Sequence, residues 1–254
     1  AVVEEIRALG GKAVASTHKV GDEAGAQAIV QTAIDAFGGV DILINNAAVS
    51  IASPIHEMTP QDIQRHFDIN LMGAVWLCRA AWPHMSAKGY GRIVNIGSGA
   101  FAGLAKLAIY GATKGGLFSL TKGLAIEGVP FGIKANIVHP GAFTRMLLAQ
   151  HEPSSTMYQY AADHLPPELT SPVIAFLSHE RCPVSGEAFD AMGGEVRRVY
   201  LATTEGFADR HLTLETVAER WDEVMGDPVA MLDLSNVNTD GWAVKAYPGG
   251  KAAS

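Results

Sequence analysis

Two kinds of apolar pattern alternate along the chain. Short and nearly continuous apolar runs, such as Val40–Ile44 and Arg92–Ile96, are typical of parallel strands that are covered on both faces. Longer stretches such as Asp22–Phe37 repeat their apolar residues every three or four positions, which predicts amphipathic helices. Because strands alternate with helices through most of the chain, we predict an α/β fold with a doubly wound parallel sheet and helices on both faces.

The individual elements follow from these runs and from the glycines and prolines between them. The predicted strands cover Lys12–Ser16, Val40–Ile44, Arg92–Ile96, Ile133–Val138 and Glu187–Met192. The predicted helices cover residues 2–9, Asp22–Phe37, Thr59–Lys88, the stretch that contains Tyr110 and ends near Gly128, Pro172–Ser178 and Leu214–Val224. Residues 142–167 mix polar and apolar types and contain prolines, so we interpret them as a mobile flap.

Composition narrows the classes of function. The chain has 254 residues, of which 48% are hydrophobic, so it can bury a sizeable core without a disulfide. Its formal charge of −7 argues against nucleic acid or an anionic membrane as a partner. No apolar run reaches the roughly 18 residues of a membrane span. The two cysteines and nine histidines lack metal-ligand spacing. We therefore predict a cytoplasmic protein without a metal site.

The candidate chemistry centres on Tyr110 and Lys114, which lie four positions apart in a predicted helix. Residues at this spacing share one helix face, so we expect the ammonium of Lys114 near the phenol of Tyr110. A nearby cation favours the phenolate and should lower the pKa of Tyr110 from its ordinary value of about 10. Ser98, which follows a predicted strand, can hydrogen bond to a substrate oxygen. The three side chains predict a proton-transfer site for an alcohol or a carbonyl.

Other candidate residues lie where predicted strands end. Asn46 follows the strand at 40–44, and Pro140–Gly141 follow the strand at 133–138. In doubly wound sheets, ligands bind outside the carboxyl ends of the strands. One cleft can therefore collect these residues together with Ser98.

With these residues placed, the chain resembles the short-chain dehydrogenase/reductase family, which implies a Rossmann-like fold. The matching residues are Asn45-Asn46-Ala47-Ala48, Asn70, Ser98, Tyr110-x-x-x-Lys114, Pro140-Gly141 and Thr144. Within the family, the chain is most similar to the (3R)-hydroxyacyl-CoA dehydrogenase domains of peroxisomal multifunctional enzymes. This closer likeness lies in the segments Ala80–Trp82, Gly91–Ile93, Ala125–Gly128, Thr144–Met146 and Leu212–Trp221.

The resemblance implies catalytic roles. Tyr110 would be the acid/base, Lys114 would tune its pKa and bind a ribose, and Ser98 would hold the substrate oxygen. Asn70 would hold a water in a proton relay. Its structural alternative, a buried asparagine at a helix irregularity, is compatible with that role and stays open.

The resemblance also implies NAD or NADP as the cofactor. Residues against the nicotinamide would be Pro140, Gly141 and Thr144, and residues beside the adenosine would be Asn46, Ala47 and Ala48. Tyr110 and Lys114 would contact the cofactor as well. The implied activity is hydride transfer between NAD(P) and a secondary alcohol or ketone, with a 3-hydroxyacyl thioester as one candidate substrate.

Several features depart from the family pattern. Ala48 stands where the family usually has glycine, and His18-Lys19 stand where an acid normally holds the adenine. The family also begins with a strand, a Gly-rich turn, a helix and a second strand, which bind the pyrophosphate and separate NAD from NADP. The chain starts after most of this unit. We therefore expect a truncated catalytic domain over residues 1–194, incomplete at its N-terminus, and a C-terminal extension over 195–254 with one helix and a loop-rich tail.

Three alternatives to an active dehydrogenase were considered. The first stays open, and the other two are disfavoured. The missing turn favours a non-catalytic or cofactor-deficient remnant that keeps the fold and the oligomer surface. Gly97–Ala102 fits the pattern G-x-G-x-x-A, but no acid ends a second strand about 20 residues later, so we interpret it as a catalytic loop. A serine hydrolase is disfavoured because Ser98 lacks a G-x-S-x-G elbow.

Surface patterns suggest partners. The helix over Tyr110–Gly128 carries small residues that let another helix approach closely, and with the helix from Pro60 it should form a homodimer or homotetramer. These small residues are Gly115, Gly116, Ser119 and Gly123.

Apolar residues within 142–167 predict a lid over the cleft, with a plain surface loop as the alternative. A lid of this kind suits a bulky apolar alcohol, ketone or acyl thioester. Positive charge for a CoA phosphate would come from Arg145, Arg197 and Arg198.

Overall fold

The computed structural model describes residues 1–149 and 152–232. The chain divides into two compact units, residues 1–198 and the residues from Val199 onward. The predicted division into a domain over 1–194 and an extension from 195 stays a prediction. Most of the predicted loop-rich tail lies beyond residue 232 and therefore outside the described residues.

Helices and strands alternate in the first unit. Its α-helices are α1 (Val2–Ala8), α2 (Glu23–Phe37), α3 (Pro60–His66), α4 (Gly73–Lys88), α5 (Ala108–Gly128), α6 (Arg145–Leu148), α7 (Thr156–His164) and α8 (Ser171–Ser178). The strands of the main sheet are β1 (Ile42–Asn45), β2 (Gly91–Ile96), β3 (Ile133–Gly141), β4 (Ala188–Met192) and β5 (Glu195–Val199).

The sheet has the order β1-β2-β3-β4-β5, and its first four strands run parallel. The predicted α/β fold is therefore confirmed. Strand β5, which the sequence analysis did not predict, follows β4 after only Gly193-Gly194, whose φ angles are +57° and +85°. Two residues with positive φ form the tight turn of an antiparallel hairpin, so β5 adds an antiparallel edge to the parallel sheet.

Helices cover both faces of the sheet, as predicted. Successive residues of a strand point to opposite faces, and β2 shows the consequence. Ile93 packs into an apolar cluster with residues of α2, α4 and α5. Val94 and Ile96 pack into a second cluster with Leu177 of α8. Both faces of β2 are consequently buried.

The predicted strand Lys12–Ser16 is wrong, because these residues form no strand. Strand β1 is the sheet edge, and within the described residues it pairs only with β2. A strand is stable only through hydrogen bonds to a neighbouring strand, and residues 12–16 pair with no strand in the described part of the chain. Val14 accordingly remains 44% exposed.

The predicted helix Thr59–Lys88 is continuous but irregular. Thr59 caps its start by accepting a hydrogen bond from the backbone N–H of Asp62 at 3.1 Å, and Pro60 occupies the first turn. Between α3 and α4, residues Phe67–Met72 form a π-helix. This wider turn contains Asn70 and turns it inward, to 2% exposure.

Two further regions differ from prediction in detail. The predicted flap contains α6 and α7, while residues 150–151 lie outside the described part of the chain. In the second unit, the predicted helix Leu214–Val224 is broken at Arg220 into α9 (Leu214–Glu219) and α10 (Trp221–Val224). The Arg220 guanidinium lies 4.1 Å from the centroid of the Phe207 ring and forms two hydrogen bonds of 2.7 Å to Glu223.

The second unit also contains a small antiparallel sheet of β6 (Ala202–Thr203) and β7 (Ala230–Met231). Across the described ranges of both units, no helix is long and apolar enough to cross a membrane. The same ranges hold no group of three or more His, Cys, Asp or Glu residues that could bind a metal ion.

Candidate active site

A cleft of about 750 Å³ opens at the carboxyl ends of β1, β2 and β3. It brings together nine of the ten predicted site residues, and only Asn70 is not part of its lining. The nine lining residues are Asn46, Ala47, Ala48, Ser98, Tyr110, Lys114, Pro140, Gly141 and Thr144. The expectation that strand ends would gather these residues in one place agrees with this arrangement.

Close backbone packing brings Ser98 to Tyr110. The Ser98 hydroxyl accepts a hydrogen bond of 3.2 Å from the backbone N–H of Ala100 and so caps the short 3-10 turn Gly99–Ala102. On α5, a Cβ added to Gly111 would lie 2.5 Å from the carbonyl oxygen of Ala100. The absence of that Cβ lets α5 approach the loop, and the Ser98 hydroxyl comes near enough to the phenol of Tyr110 to act on its pKa.

Burial controls the ionisation of Tyr110. Only 8% of this residue is exposed. Burial raises the pKa of the phenol above its ordinary value, and the hydrogen bond with Ser98 acts in the opposite direction. We expected Lys114 to lower the pKa of Tyr110, and this expectation is wrong for the protein without a bound ligand. The Lys114 ammonium lies 5.6 Å from the centroid of the Tyr110 ring and donates instead to the backbone oxygen of Ile96 at 2.6 Å.

Lys114 is a nearly buried cation at the cleft wall, with 2% exposure. Burial lowers its pKa to about 8, because the charged ammonium loses water contacts. The lysine therefore remains largely protonated at neutral pH, and its charge is screened little by solvent.

Asn70 lies behind the cleft and joins two elements of its wall. Its Oδ1 accepts from the Val49 backbone N–H at 2.8 Å, and its Nδ2 donates to the Val49 carbonyl at 2.9 Å. The same Nδ2 donates to the Thr113 hydroxyl on α5 at 3.3 Å. The side chain thus holds the segment after β1 against α5, and the proton-relay role of Asn70 stays a prediction.

Two buried histidines next to the site were missed by the sequence analysis. His66 accepts a 3.1 Å hydrogen bond from the Ile51 N–H at Nε2, and its ring meets that of Tyr110 edge-on at 6.4 Å. His139 lies immediately before Pro140 and contacts Asp190. Their only sequence signals were positional, because His66 lies four residues before Asn70 and His139 adjoins a matching motif.

The three arginines expected to supply positive charge fall into two groups. Arg145 lines the cleft. Arg197 forms an ion pair with Glu195, and Arg198 forms a bidentate pair with Glu187 at 2.7 and 2.8 Å. Because acidic partners offset the charges of these two, only Arg145 fits the expected role.

The cleft has room and chemistry suited to NAD(P). Its floor contains Gly97 and Gly141, where added Cβ atoms would meet the His139 ring at 2.2 Å and the Met192 side chain at 2.4 Å. The ammonium of Lys114 is a donor in the cleft lining to which ribose hydroxyls could hydrogen bond. A second cavity of about 830 Å³, lined in part by Lys19, shares Ala47 and Ala48 with the cleft. The two spaces together fit a ligand with two bulky ends.

Comparisons with known proteins agree with this geometry. Residues 1–154 match the profile described as short chain dehydrogenase. A short-chain type dehydrogenase/reductase from Mycobacterium tuberculosis is 36% identical over 226 residues, covering 88% of this chain and 77% of that protein. Peroxisomal multifunctional enzyme A from Dictyostelium discoideum is 36% identical over 224 residues, covering 88% of this chain and 49% of that enzyme. The chain thus spans about half the length of this multifunctional relative.

Solved structures point the same way. A short chain dehydrogenase from Burkholderia cenocepacia in complex with NADP superposes with a TM-score of 0.68 at 29% identity, covering 76% of this chain and 80% of that one. The predicted family, oxidoreductase class and NAD(P) cofactor are confirmed by these matches. The chain belongs to the short chain dehydrogenase family of NAD(P)-dependent oxidoreductases.

Proposed function

We propose that Ser98, Tyr110 and Lys114 move a proton to or from the oxygen of a secondary alcohol or ketone held in the cleft. One observation carries the proposal: the three side chains line the same cleft, where the Ser98 hydroxyl lies near enough to the phenol of Tyr110 to act on its pKa. A hydroxyl pair of this kind can hold a substrate oxygen and exchange its proton.

Residues of the same cleft would hold NAD(P), which supplies the hydride acceptor or donor when bound. Lys114 would bind ribose hydroxyls. The nicotinamide end would lie against Pro140, Gly141 and Thr144, and the adenosine end beside Asn46, Ala47 and Ala48, next to the second cavity.

The raised pKa of Tyr110 favours one direction at neutral pH. A protonated phenol can donate to a carbonyl oxygen, which is the step that ketone reduction requires. Alcohol oxidation requires the phenolate, so we expect its rate to rise with pH more steeply than the rate of reduction.

We propose a large apolar substrate, such as a 3-hydroxyacyl thioester, for this site. Much of the cleft beyond Ser98 is apolar, and the apolar lining residues are Leu104, Leu107, Met146, Leu147, Met157, Leu165 and Met192. Apolar walls stabilise a bound acyl chain by about 0.8 kcal/mol for each buried CH₂ group. Relatives of the peroxisomal multifunctional type support this class, and one of them is a peroxisomal hydratase-dehydrogenase-epimerase from Saccharomyces cerevisiae at 33% identity.

Replacement of the catalytic phenol tests the chemistry. In Tyr110→Phe we expect turnover to fall by several orders of magnitude while the dissociation constants of NADH and NADPH, measured by fluorescence titration, stay within about threefold. Tyr160→Phe is the matched control, because Tyr160 is 48% exposed and is not part of the cleft lining. Near-normal turnover in Tyr110→Phe would remove this residue from the mechanism.

Two adjacent leucines of α6 test the substrate class. Leu147 lines the cleft, whereas its neighbour Leu148 is 37% exposed and does not. We expect Leu147→Ser to lower kcat/KM for a long-chain 3-hydroxyacyl thioester by about tenfold, the equivalent of about 1.4 kcal/mol. Leu148→Ser should leave it unchanged. Equal specificity constants of the unmodified chain for long-chain thioesters and short hydroxy acids would refute the apolar substrate.

A cofactor-deficient remnant is the second candidate. The observation in its favour is the edge position of β1, where Ile42 and Ile44 are 46% and 44% exposed. Titration with NADH and with NADPH separates the candidates, because a remnant leaves the fluorescence of both nucleotides unchanged at millimolar protein.

We also propose a symmetric subunit interface along α5 and the helix from Pro60. Gly115 and Gly123 of α5 face open space, whereas Gly116 packs against Leu71 of the same chain. Gly123→Arg should therefore lower the mass measured by light scattering. Gly39→Arg, a change at another open glycine outside both helices, should not. A monomeric unmodified chain at micromolar concentration would refute the interface.

A further inference from the structure

His139 lies at the end of β3, one residue before Pro140 of the cleft wall. Its side chain is 1% exposed and faces protein on all sides. A Cβ added to Gly97, which belongs to the cleft floor, would lie 2.2 Å from the Cδ2 atom of the imidazole. The ring of His139 therefore packs directly beneath the floor of the cleft.

Aromatic rings join His139 to the elements that carry the catalytic groups. Phe101 follows Ser98 by three residues, and its ring centroid lies 4.6 Å from that of His139. Phe118 follows Lys114 by four residues on α5, and its ring centroid lies 6.3 Å from the imidazole. The two phenylalanine rings stack on each other at 5.4 Å. A displaced His139 ring would therefore disturb both the Ser98 loop and the helix of Tyr110.

The polar side of the ring is oriented by one partner. His139 and Asp190 face each other in the register of β3 and β4, and Nδ1 lies 3.1 Å from Asp190 Oδ1. Because a carboxylate only accepts, Nδ1 carries the donated proton. The buried Nε2 has no hydrogen-bond partner within residues 1–149 and 152–232.

The surroundings of His139 favour a neutral ring. Burial lowers the pKa of His139 and the positive charge of Lys114 lowers it further, while the Asp190 carboxylate raises it. A protonated ring would bury an unpaired N–H at Nε2, which costs free energy. One tautomer, with its proton on Nδ1, therefore satisfies the site best.

We propose that His139, oriented by Asp190, is a positioning residue that sets the separation between the Gly97–Ser98 loop and Pro140. The ring spans the space between these two parts of the cleft wall, and Asp190 keeps it from turning. The proposal deepens the proposed function and rests on it for the kinetic measurements. Misplacement of reacting groups by about 1 Å can lower a rate by about 100-fold, so a loosened ring should be visible in turnover.

Asp190 offers the cleaner substitution because its side chain is 50% exposed. Asp190→Ala removes the acceptor, whereas the matched control Asp190→Asn keeps an oxygen at Oδ1. We expect kcat to fall about tenfold in Asp190→Ala and to stay within about twofold in Asp190→Asn, with the dissociation constant of NADPH little changed in both. A kcat of Asp190→Ala equal to that of the unmodified protein would overturn the proposal.

His139→Phe separates orientation from packing, because it keeps an aromatic ring and loses the bond to Asp190. Its kcat should fall as in Asp190→Ala, and the double variant should lose no more than either single one. Full activity in His139→Phe would mean that ring packing alone matters, and multiplied losses in the double variant would mean that the two residues act separately. Either result contradicts the proposal.

Nitrogen-15 NMR of labelled histidines provides a test that needs no turnover. The His139 signal should show the proton on Nδ1 in the unmodified protein, and Asp190→Ala should shift the tautomer equilibrium. A proton on Nε2 in the unmodified protein would overturn the assigned orientation. Absence of nucleotide binding would refute the proposed function by itself, while the tautomer would still test the role of Asp190.

Discussion

The stretches Lys12–Ser16 and Arg92–Ile96 both have strand-type sequences, but only the second forms a strand. The second lies within β2, hydrogen bonds to β1 and β3, and is buried along its whole length. The first pairs with no strand among the described residues and leaves Val14 44% exposed. The difference shows that a short apolar run becomes a strand only where backbone partners and covering helices are present.

The same contrast separates the polar groups of the two regions. Around β2 and β3, buried polar side chains hydrogen bond to defined partners, as Asn95 does with Asn45 and Thr121 at 2.8 Å. Near the N-terminus, Arg7 and Glu4 meet as an exposed pair of 3.1 Å. Buried polar groups contribute more to a unique structure than exposed pairs, because loss of a partner leaves them without water.

The strongest change should come from the buried charge of Lys114. Its pKa is lowered to about 8 in the folded chain, against about 10.4 for an ordinary lysine. Between these values, the unfolded chain holds a proton that the folded chain has released, so the free energy of unfolding rises with pH. Between pH 7 and pH 10, the free energy of unfolding of the unmodified chain should rise by up to about 3 kcal/mol relative to that of Lys114→Met.

Urea unfolding at several pH values measures this gain. Lys122→Met is the control, because Lys122 lies on the same helix and is not fully buried. A difference between the unmodified chain and Lys114→Met that does not depend on pH would contradict the lowered pKa.

A smaller effect comes from identical substitutions in the two contrasted regions. Val94 is 0% exposed in β2, so Val94→Ala removes two buried methyl groups and should lower the free energy of unfolding by about 2 kcal/mol. Val14→Ala should change it by less than about 0.5 kcal/mol. Equal losses in chemical denaturation would mean that residues 12–16 are packed after all.

The smallest effect concerns two glycines of α5 that lie one helical turn apart. Gly111→Ala places a methyl group 2.5 Å from the Ala100 oxygen and should destabilise the chain by about 1 kcal/mol. In the Gly123→Arg background, which should remove the proposed subunit interface, Gly115→Ala meets nothing within 4 Å and should stabilise the helix by about 0.5–1 kcal/mol. Opposite shifts of the thermal midpoint are the expected result. Shifts of the same sign would refute the close approach of α5 to the Ser98 loop.

Much of the site could be predicted because its residues are marked by local sequence patterns, namely the end of an apolar strand and the spacing along a helix. Ser98 follows a continuous apolar strand, and Tyr110 and Lys114 share a helix face at a spacing of four. The orientation of the Lys114 ammonium could not be predicted in this way. It depends on the Ile96 carbonyl, which lies 18 residues earlier in the chain and offers a hydrogen bond of 2.6 Å.

The two buried histidines show a second limit. His66 and His139 have no spacing that marks them, and each gains its surroundings from elements distant in sequence. For His139, the facing residue is Asp190, which lies 51 residues later in the chain. Only strand register brings that carboxylate within reach.

The sequence by itself determined the α/β class, the places of Ser98, Tyr110 and Lys114 on their elements and the strand ends that gather the cleft, because periodicity and helix spacing are local properties. The tertiary structure decided which apolar runs became strands, as the contrast between Lys12–Ser16 and β2 shows. It also decided that burial, rather than the Lys114 cation, controls the pKa of Tyr110. Strand pairing and loss of water depend on neighbours far away in the chain, and those neighbours exist only in the folded protein.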